Sequence, residues 1–329
     1  MRILLIKTSS LGDVIHNLPV ASDLRRAFPD AEIDWCVEEN FADIPRLHPA
    51  VADVIPVAVR RWRKTFLSPV TWREIGAFKR RLQSRDYDAI LDTQGLIKSA
   101  AIARLARGRR FGYAAEVARE ALAARFYDET FVIPPNAHAV TRNRWLASAA
   151  FGHPLDLPLD YGIVAPNGGV DCADDAPTCV LFTASSRDEK LLDESSWVAV
   201  ARALADGECG GEALTPVFPA GTPRERTRAE RIACRVPRAR VAPPLTLSEL
   251  AGLLKRARLA VGVDTGLVHL AAALRVPAIA VFIASDPALT GIIGAGFHRN
   301  LGVRGHAPTV EDILTAARQA LLEDPVWRA

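Results

Sequence analysis

Apolar residues along the chain follow two alternating periods. Runs at 3–7, 33–37, 54–59 and 89–92 are short and rich in Ile, Leu and Val, and they predict strands. Residues 13–28 and 72–85 instead repeat their apolar positions at the three-and-four spacing of helices. Helical spacing returns at 97–106 and 138–149. The stretch 153–178, HPLDLPLDYGIVAPNGGVDCADDAPT, loses every period and fills with Pro, Gly and Asp, which predicts a domain boundary. The alternation then restarts, with strands predicted at 179–183, 215–218, 259–263 and 278–283, and helices at 196–205, 224–235, 247–257, 267–274 and 310–322. Strands that alternate with helices form parallel sheets. The pattern therefore predicts an α/β chain of two Rossmann-like domains, 1–160 and 161–329, facing a central cleft. The last, amphipathic helix can close the second domain or pack back on the first. Ligands of such sheets bind outside the carboxyl ends of the strands.

A length of 329 residues, 49% hydrophobic and 24% charged, suits two packed cores. No apolar run approaches the ~20 residues of a membrane span. The amino terminus enters a strand-like run without the pattern of a secretion signal, so a cytoplasmic protein is expected. Five scattered cysteines, with no C-x-x-C pair and no histidine at zinc-finger spacing, point to a reducing compartment and no structural metal. The net charge of +3 conceals a concentration: from 57 to 110, fourteen Lys and Arg face four Asp and Glu. Such a field attracts phosphate in nucleic acid, lipid head group or substrate, although a merely solvated basic face has the same composition.

Three motifs carry candidate chemistry. KTSSLGDVIHNLP at 7–19 leaves the first predicted strand and enters a helix, which puts Asp13 at a strand's carboxyl end; the carboxylate can serve chemistry there or cap the helix. LAVGVDTGLVHLAAA at 259–273 runs from strand directly into helix, so backbone N–H groups near Thr265 and Gly266 can hold phosphate, with Asp264 and His269 beside them. Asp-Thr-Gly is shared with aspartic proteases, but those need two such carboxylates and this chain carries one copy. LFTASSRDEK at 181–190 opens a strand into hydroxyls and cations, and Ser185, Ser186 and Lys190 can hold a diphosphate. The first strand is followed by TSSLGD rather than a dinucleotide fingerprint, which argues against a dehydrogenase.

Taken together, KTSSLGDVIHNLP, the run VAVRRWRK at 57–64, SSRDEK at 185–190 and SDP at 285–287 after VDTGLVHL make the chain resemble the lipopolysaccharide heptosyltransferases of glycosyltransferase family 9, in the branch that adds the first inner-core heptose. The resemblance implies a GT-B fold, ADP-L-glycero-D-manno-heptose as donor and a Kdo residue of Kdo-lipid A as acceptor. It makes Asp13 the general base of an inverting transfer and Lys190, with Ser185 and Ser186, the stabiliser of the departing diphosphate. Thr265, Gly266 and the helix they begin assist. Asp264 meets the heptose hydroxyls, His269 the diphosphate or sugar, and Glu225 the adenosine ribose. Arg60, Arg61, Arg63, Lys64 and Arg119 match the acceptor site, where they meet Kdo carboxylates and lipid A phosphates. No cofactor is implied, Mg²⁺ is at most ancillary, and attachment to the anionic cytoplasmic face of the inner membrane is peripheral.

The sequence also departs from the family pattern. Thr183 stands where His is expected, Leu192 and Ala220 where Trp is, and Phe282-Ile283 where Tyr-Gly is, which predicts less aromatic packing around the donor. The rival readings are another GT-B transferase, whether the second heptosyltransferase or one with a different nucleotide sugar, and a nucleic-acid module built on the basic run with Trp62, Trp72 and Tyr87.

Overall fold

The structure, a computed structural model, describes residues 1–166, 176–185 and 187–323. It divides into two units, Met1–Val164 and Ala165–Ala329. In the first, β1 (Arg2–Ile6), β2 (Glu32–Glu38), β3 (Val51–Val57), β4 (Asp86–Asp92), β5 (Arg107–Tyr113) and β6 (Glu129–Phe131) form a sheet in the order β3-β2-β1-β4-β5-β6. In the second, β7 (Thr178–Phe182), β8 (Thr215–Phe218), β9 (Arg240–Val241), β10 (Ala257–Val263), β11 (Ala278–Val281) and β12 (His298–Leu301) run β12-β11-β10-β7-β8-β9. Every strand pair is parallel. Each sheet thus repeats the doubly wound order, which reverses between its first and fourth strands.

The central strands are legible because helices cover both faces: Ile3 to Ile6, Cys179 to Phe182 and Leu259 to Val263 are buried continuously. The first core joins Leu4, Ile6, Ile55, Phe78, Leu82 and Ile90, and the second joins Leu181, Trp197, Phe218, Val261 and Ile279. The helix expected over 13–28 is two helices, Leu11–Ile15 and Leu18–Ala27, because Pro19 in the first turn of the second lacks the N–H a continuous helix would use. The final helix, Val310–Glu323, belongs to the second unit's core. Its apolar face, with Ile313, Ala317 and Ala320, is buried in the second core against the helix Glu194–Ala205 and β10 to β12. Among the described residues no helix is long and apolar enough to cross a membrane.

Candidate active site

In a parallel sheet all carboxyl ends lie along one edge, and at the reversal point the flanking loops splay apart and leave a crevice. The loops after β1 and β4 meet there in the first unit. Asp92, at the end of β4, accepts the N–H of Gln94 at 2.8 Å and seats it. Gln94 Oε1 in turn accepts the N–H groups of Thr8 (2.9 Å) and Ser9 (3.1 Å), which clamps the loop after β1. The next residue, Ser10, donates its N–H to Asp13 Oδ2 at 2.8 Å and its hydroxyl at 3.1 Å. Asp13 therefore both caps its helix and keeps Oδ1 for another partner, the Arg119 guanidinium at 2.8 Å. The Lys7 ammonium, buried beneath, donates to Thr93 O at 2.7 Å and Asn143 Oδ1 at 3.3 Å. Lys7, Asp13, Gln94, Arg119 and Asn143, with Tyr113 and Arg142, line a polar cavity of about 30 Å³.

The electrostatics follow from that packing. Burial alone would raise the Asp13 carboxyl, but the charges of Lys7 and Arg119, the Ser10 N–H and His16 together hold it well below the usual carboxylate range. Burial brings Lys7 down to about 8, against the opposing pull of Asp13. Asp13 is thus fixed as an anion. Its basicity is also suppressed for as long as Arg119 stays on it. His16 is buried with its ring edge-on to His138 at 5.6 Å.

The expected acceptor cations are divided. Arg60 to Lys64 form the helix Val59–Lys64 beyond β3. Arg61 is spent on Glu39 and Glu74, whereas Arg63 and Lys64 have no carboxylate partner among the described residues. The basic concentration from 57 to 110 is also partly neutralised, since Arg81, Arg85, Arg109 and Arg110 pair with Asp53, Asp34, Glu129 and Asp128. It is not one continuous cradle.

The second unit repeats the crevice between the loops after β7 and β10. Lys190 Nζ donates to Asp264 Oδ2 at 2.5 Å, the Ser285 hydroxyl donates to the same oxygen, and His269 Nε2 lies 3.9 Å from Oδ1. Burial opposes ionisation of Asp264, but these three partners outweigh it and hold the carboxyl far below its usual range. Thr265 is the N-cap of the helix Gly266–Ala273, so its free N–H groups open beside that cluster. Ser185 and Glu225 line a neighbouring cavity of about 550 Å³ with Asp188, Arg224 and Arg228. Glu225 Oε2 caps its own helix by accepting the N–H groups of Gly221 (2.8 Å) and Thr222 (3.1 Å). Ser186 lies outside the described residues. Among the described residues no group of three His, Cys, Asp or Glu side chains could hold a metal.

Sequence reasoning missed Lys7, Gln94, Asn143, Ser285 and Arg228. Lys7 stands inside the first motif, but its partners come from 86 and 136 residues away. Arg228, a half-buried guanidinium lowered by desolvation, donates to the carbonyl of Thr183 at 3.1 Å and to that of Leu192. The spacing of Arg224, Arg228 and Arg231 along one helix face was the available signal.

A family model, glycosyltransferase family 9 (heptosyltransferase), matches residues 75–315. Lipopolysaccharide heptosyltransferase 1 of Pseudomonas aeruginosa is 43% identical over 296 residues, covering 89% of this chain and 82% of that protein. The protein of the same name from Escherichia coli is 40% identical over 325 residues, 98% of each. Among solved structures, the E. coli heptosyltransferase WaaC with ADP superposes at a TM-score of 0.87, with 38% identity over 97% of this chain and 100% of that one. WaaC with ADP-2-deoxy-2-fluoro heptose gives 0.83, with 37% identity over 98% and 99%.

Proposed function

The chain belongs to glycosyltransferase family 9, the heptosyltransferases, and from that premise we propose that it transfers L-glycero-D-manno-heptose from ADP-heptose to a Kdo residue of Kdo-lipid A, with inversion at the anomeric carbon. The observation that carries the chemical assignment is the pair of polar clusters at the two reversal points, one built around an ionised Asp13 and the other around Lys190 and Asp264.

Asp13 is the base that takes the proton of the attacking Kdo hydroxyl. A carboxylate held far below its usual range is a weak base, so Arg119 has to leave it. The Kdo carboxylate supplies the reason: an anion at Arg119 competes for the guanidinium and frees Oδ1 as the acceptor arrives. Opposite charge builds on the leaving ADP. Lys190, oriented by Asp264 and Ser285, and the N–H groups at the start of Gly266–Ala273 stabilise it, while Ser185 and Ser186 bind the diphosphate. Asp264 and His269 meet the heptose, and Glu225 with Arg228 the adenosine. Arg60, Arg63 and Lys64 meet acceptor anions, and Arg61 acts by bracing their helix. The enzyme works peripherally at the cytoplasmic face of the inner membrane, requires no cofactor, and uses Mg²⁺ at most as an ancillary ion. No nucleic acid enters this reading, since many of the arginines that would track a nucleic-acid backbone are bound to carboxylates.

The test is incubation with ADP-heptose and Kdo₂-lipid A, with the product read by mass and by its anomeric coupling. One added heptose of inverted configuration is expected. Transfer from a UDP- or GDP-sugar in its place, or to a heptosylated acceptor only, would overturn the assignment in favour of another transferase.

A further inference from the structure

Between β3 and β4 the chain forms a helical hairpin, Val59–Lys64 followed by Pro69–Leu82, and its inner side is firmly built. Trp62 sits edge-on to buried Phe78 at 5.7 Å and donates to Glu74 at 2.7 Å, while Arg61 ties Glu39 and Glu74 together. Its outer side is apolar. Leu67 is 93% exposed, Phe66 54%, Trp72 52% and Val70 51%. Phe66 and Trp72 pack on one another with ring centroids 5.0 Å apart, outside any core. A braced tip that presents Leu and Phe to water is disfavoured in a free protein and marks a surface meant to be covered.

The surroundings of the tip identify the cover. Arg63, Lys64 and Arg73 are exposed and have no carboxylate partner among the described residues. Aromatic and aliphatic side chains at a tip, with unpaired cations one turn behind, match the profile of an anionic bilayer: acyl chains within, phosphates above. The hairpin also leaves the sheet at the same carboxyl edge as the Asp13 loop, two strands away in the order β3-β2-β1. Lys98, hydrogen-bonded to Ser9 at 2.8 Å, feels the charges of both Arg60 and Arg63, so hairpin and catalytic loop are near neighbours.

We propose that this tip is a membrane wedge: Phe66, Leu67, Val70 and Trp72 enter the interfacial layer of an anionic bilayer, Arg73 rests on its phosphates, and Arg63 and Lys64 meet the acceptor's own lipid phosphates in the same layer. The proposal deepens the reading of a lipid-linked acceptor and rests on it, because a wedge at this edge holds the catalytic loop over a sugar anchored in the same bilayer.

The experiment compares the native chain with the double variant Phe66→Ser/Leu67→Glu and with Trp72→Phe. Binding is measured to phosphatidylcholine vesicles with and without phosphatidylglycerol, in low and high salt. Brominated lipids report insertion through tryptophan quenching. Transfer is measured to Kdo₂-lipid A in vesicles and, separately, to a Kdo oligosaccharide stripped of acyl chains. The native chain binds the anionic vesicles in a salt-sensitive way and is quenched. Quenching is lost in Trp72→Phe. The double variant binds at least about tenfold more weakly, as expected for keeping two large apolar side chains in water, and loses transfer on vesicles while retaining it on the soluble acceptor. Equal vesicle binding by native and double variant overturns the wedge, as does equal loss on both acceptors, which would make the tip part of the sugar site. A native dimer that the double variant dissociates, with no vesicle binding, assigns the patch to a second copy. Vesicle binding with no transfer by the native chain to either acceptor would instead contradict the enzymatic reading and leave the wedge standing.

Discussion

Replacing Arg119 by Met tests whether this ion pair sets the basicity of Asp13, the proposed base. The guanidinium meets Asp13 at 2.8 Å, which puts the charge centres about 4 Å apart. At that separation two charges attract by ~4 kcal/mol at an effective dielectric of 20 and ~1 kcal/mol in water. The Arg119 side chain is 49% exposed and that of Asp13 16%, so solvent screening puts the coupling toward the lower figure, at ~1.5 kcal/mol. That is about one pKa unit at ~1.36 kcal/mol per unit. The acidic limb of kcat/KM, which reports the free enzyme's base, should therefore rise by about one pH unit in Arg119→Met, and the KM for acceptor should rise with it. Stability follows the same sign. The contribution of Asp13's depressed carboxyl is present above about pH 4 and lost as pH falls through its folded value, so the variant begins to unfold at a slightly higher pH. A pH–rate profile lowered uniformly, with its acidic limb unmoved, would refute the claim that Arg119 sets the basicity of Asp13.

Lys7→Met should move that limb in the same direction, because the buried Lys7 ammonium also helps to hold the Asp13 carboxyl down. Since Lys7 titrates near 8 in the fold and near 10.4 unfolded, the unfolded chain binds more protons between those values. Its contribution to stability grows as pH rises through that window, and Lys7→Met flattens this part of the pH–Tm curve. Lys190→Met should lower kcat for ADP release about 100-fold at unchanged acceptor KM. Asp264→Asn should weaken ADP-heptose binding about tenfold in calorimetry, because Lys190 then loses the partner that orients it. Arg144→Leu leaves the Asp23 carboxylate, 1% exposed and bonded to Arg144 at 2.6 Å, buried without its cation, and should cost ~3 kcal/mol in urea unfolding.

The strands that carry the site were readable because both their faces are buried, so Ile3 to Ile6 and Leu259 to Val263 appear as unbroken apolar runs. β5, with the sequence RGRRFGY, has no such signature. Arg109 and Arg110 pair with Glu129 and Asp128, and Arg107 with Asp86, partners that no local pattern announces. In the two crevices, Asp13, Lys190 and Asp264 stood out because each sits in a loop leaving a readable strand. Gln94 and Asn143, which clamp and line the Asp13 crevice of the first unit, arrive from distant parts of the chain. The departures at Thr183 and Leu192 look different in three dimensions: both meet Arg228 through backbone carbonyls, which any residue supplies. Phe282 is wholly buried and Ile283 packs against the second core.

The central claim is that Asp13 is the base of an acceptor-dependent transfer. Its most direct test is ADP release from ADP-heptose, with and without Kdo₂-lipid A, by the native chain and by Asp13→Asn, whose side chain keeps an oxygen for the Ser10 N–H. The account predicts release only when acceptor is present and a fall of about 1,000-fold in the variant, with ADP-heptose binding unchanged. Release that ignores the acceptor, or a variant that retains a substantial fraction of the native rate, would contradict it.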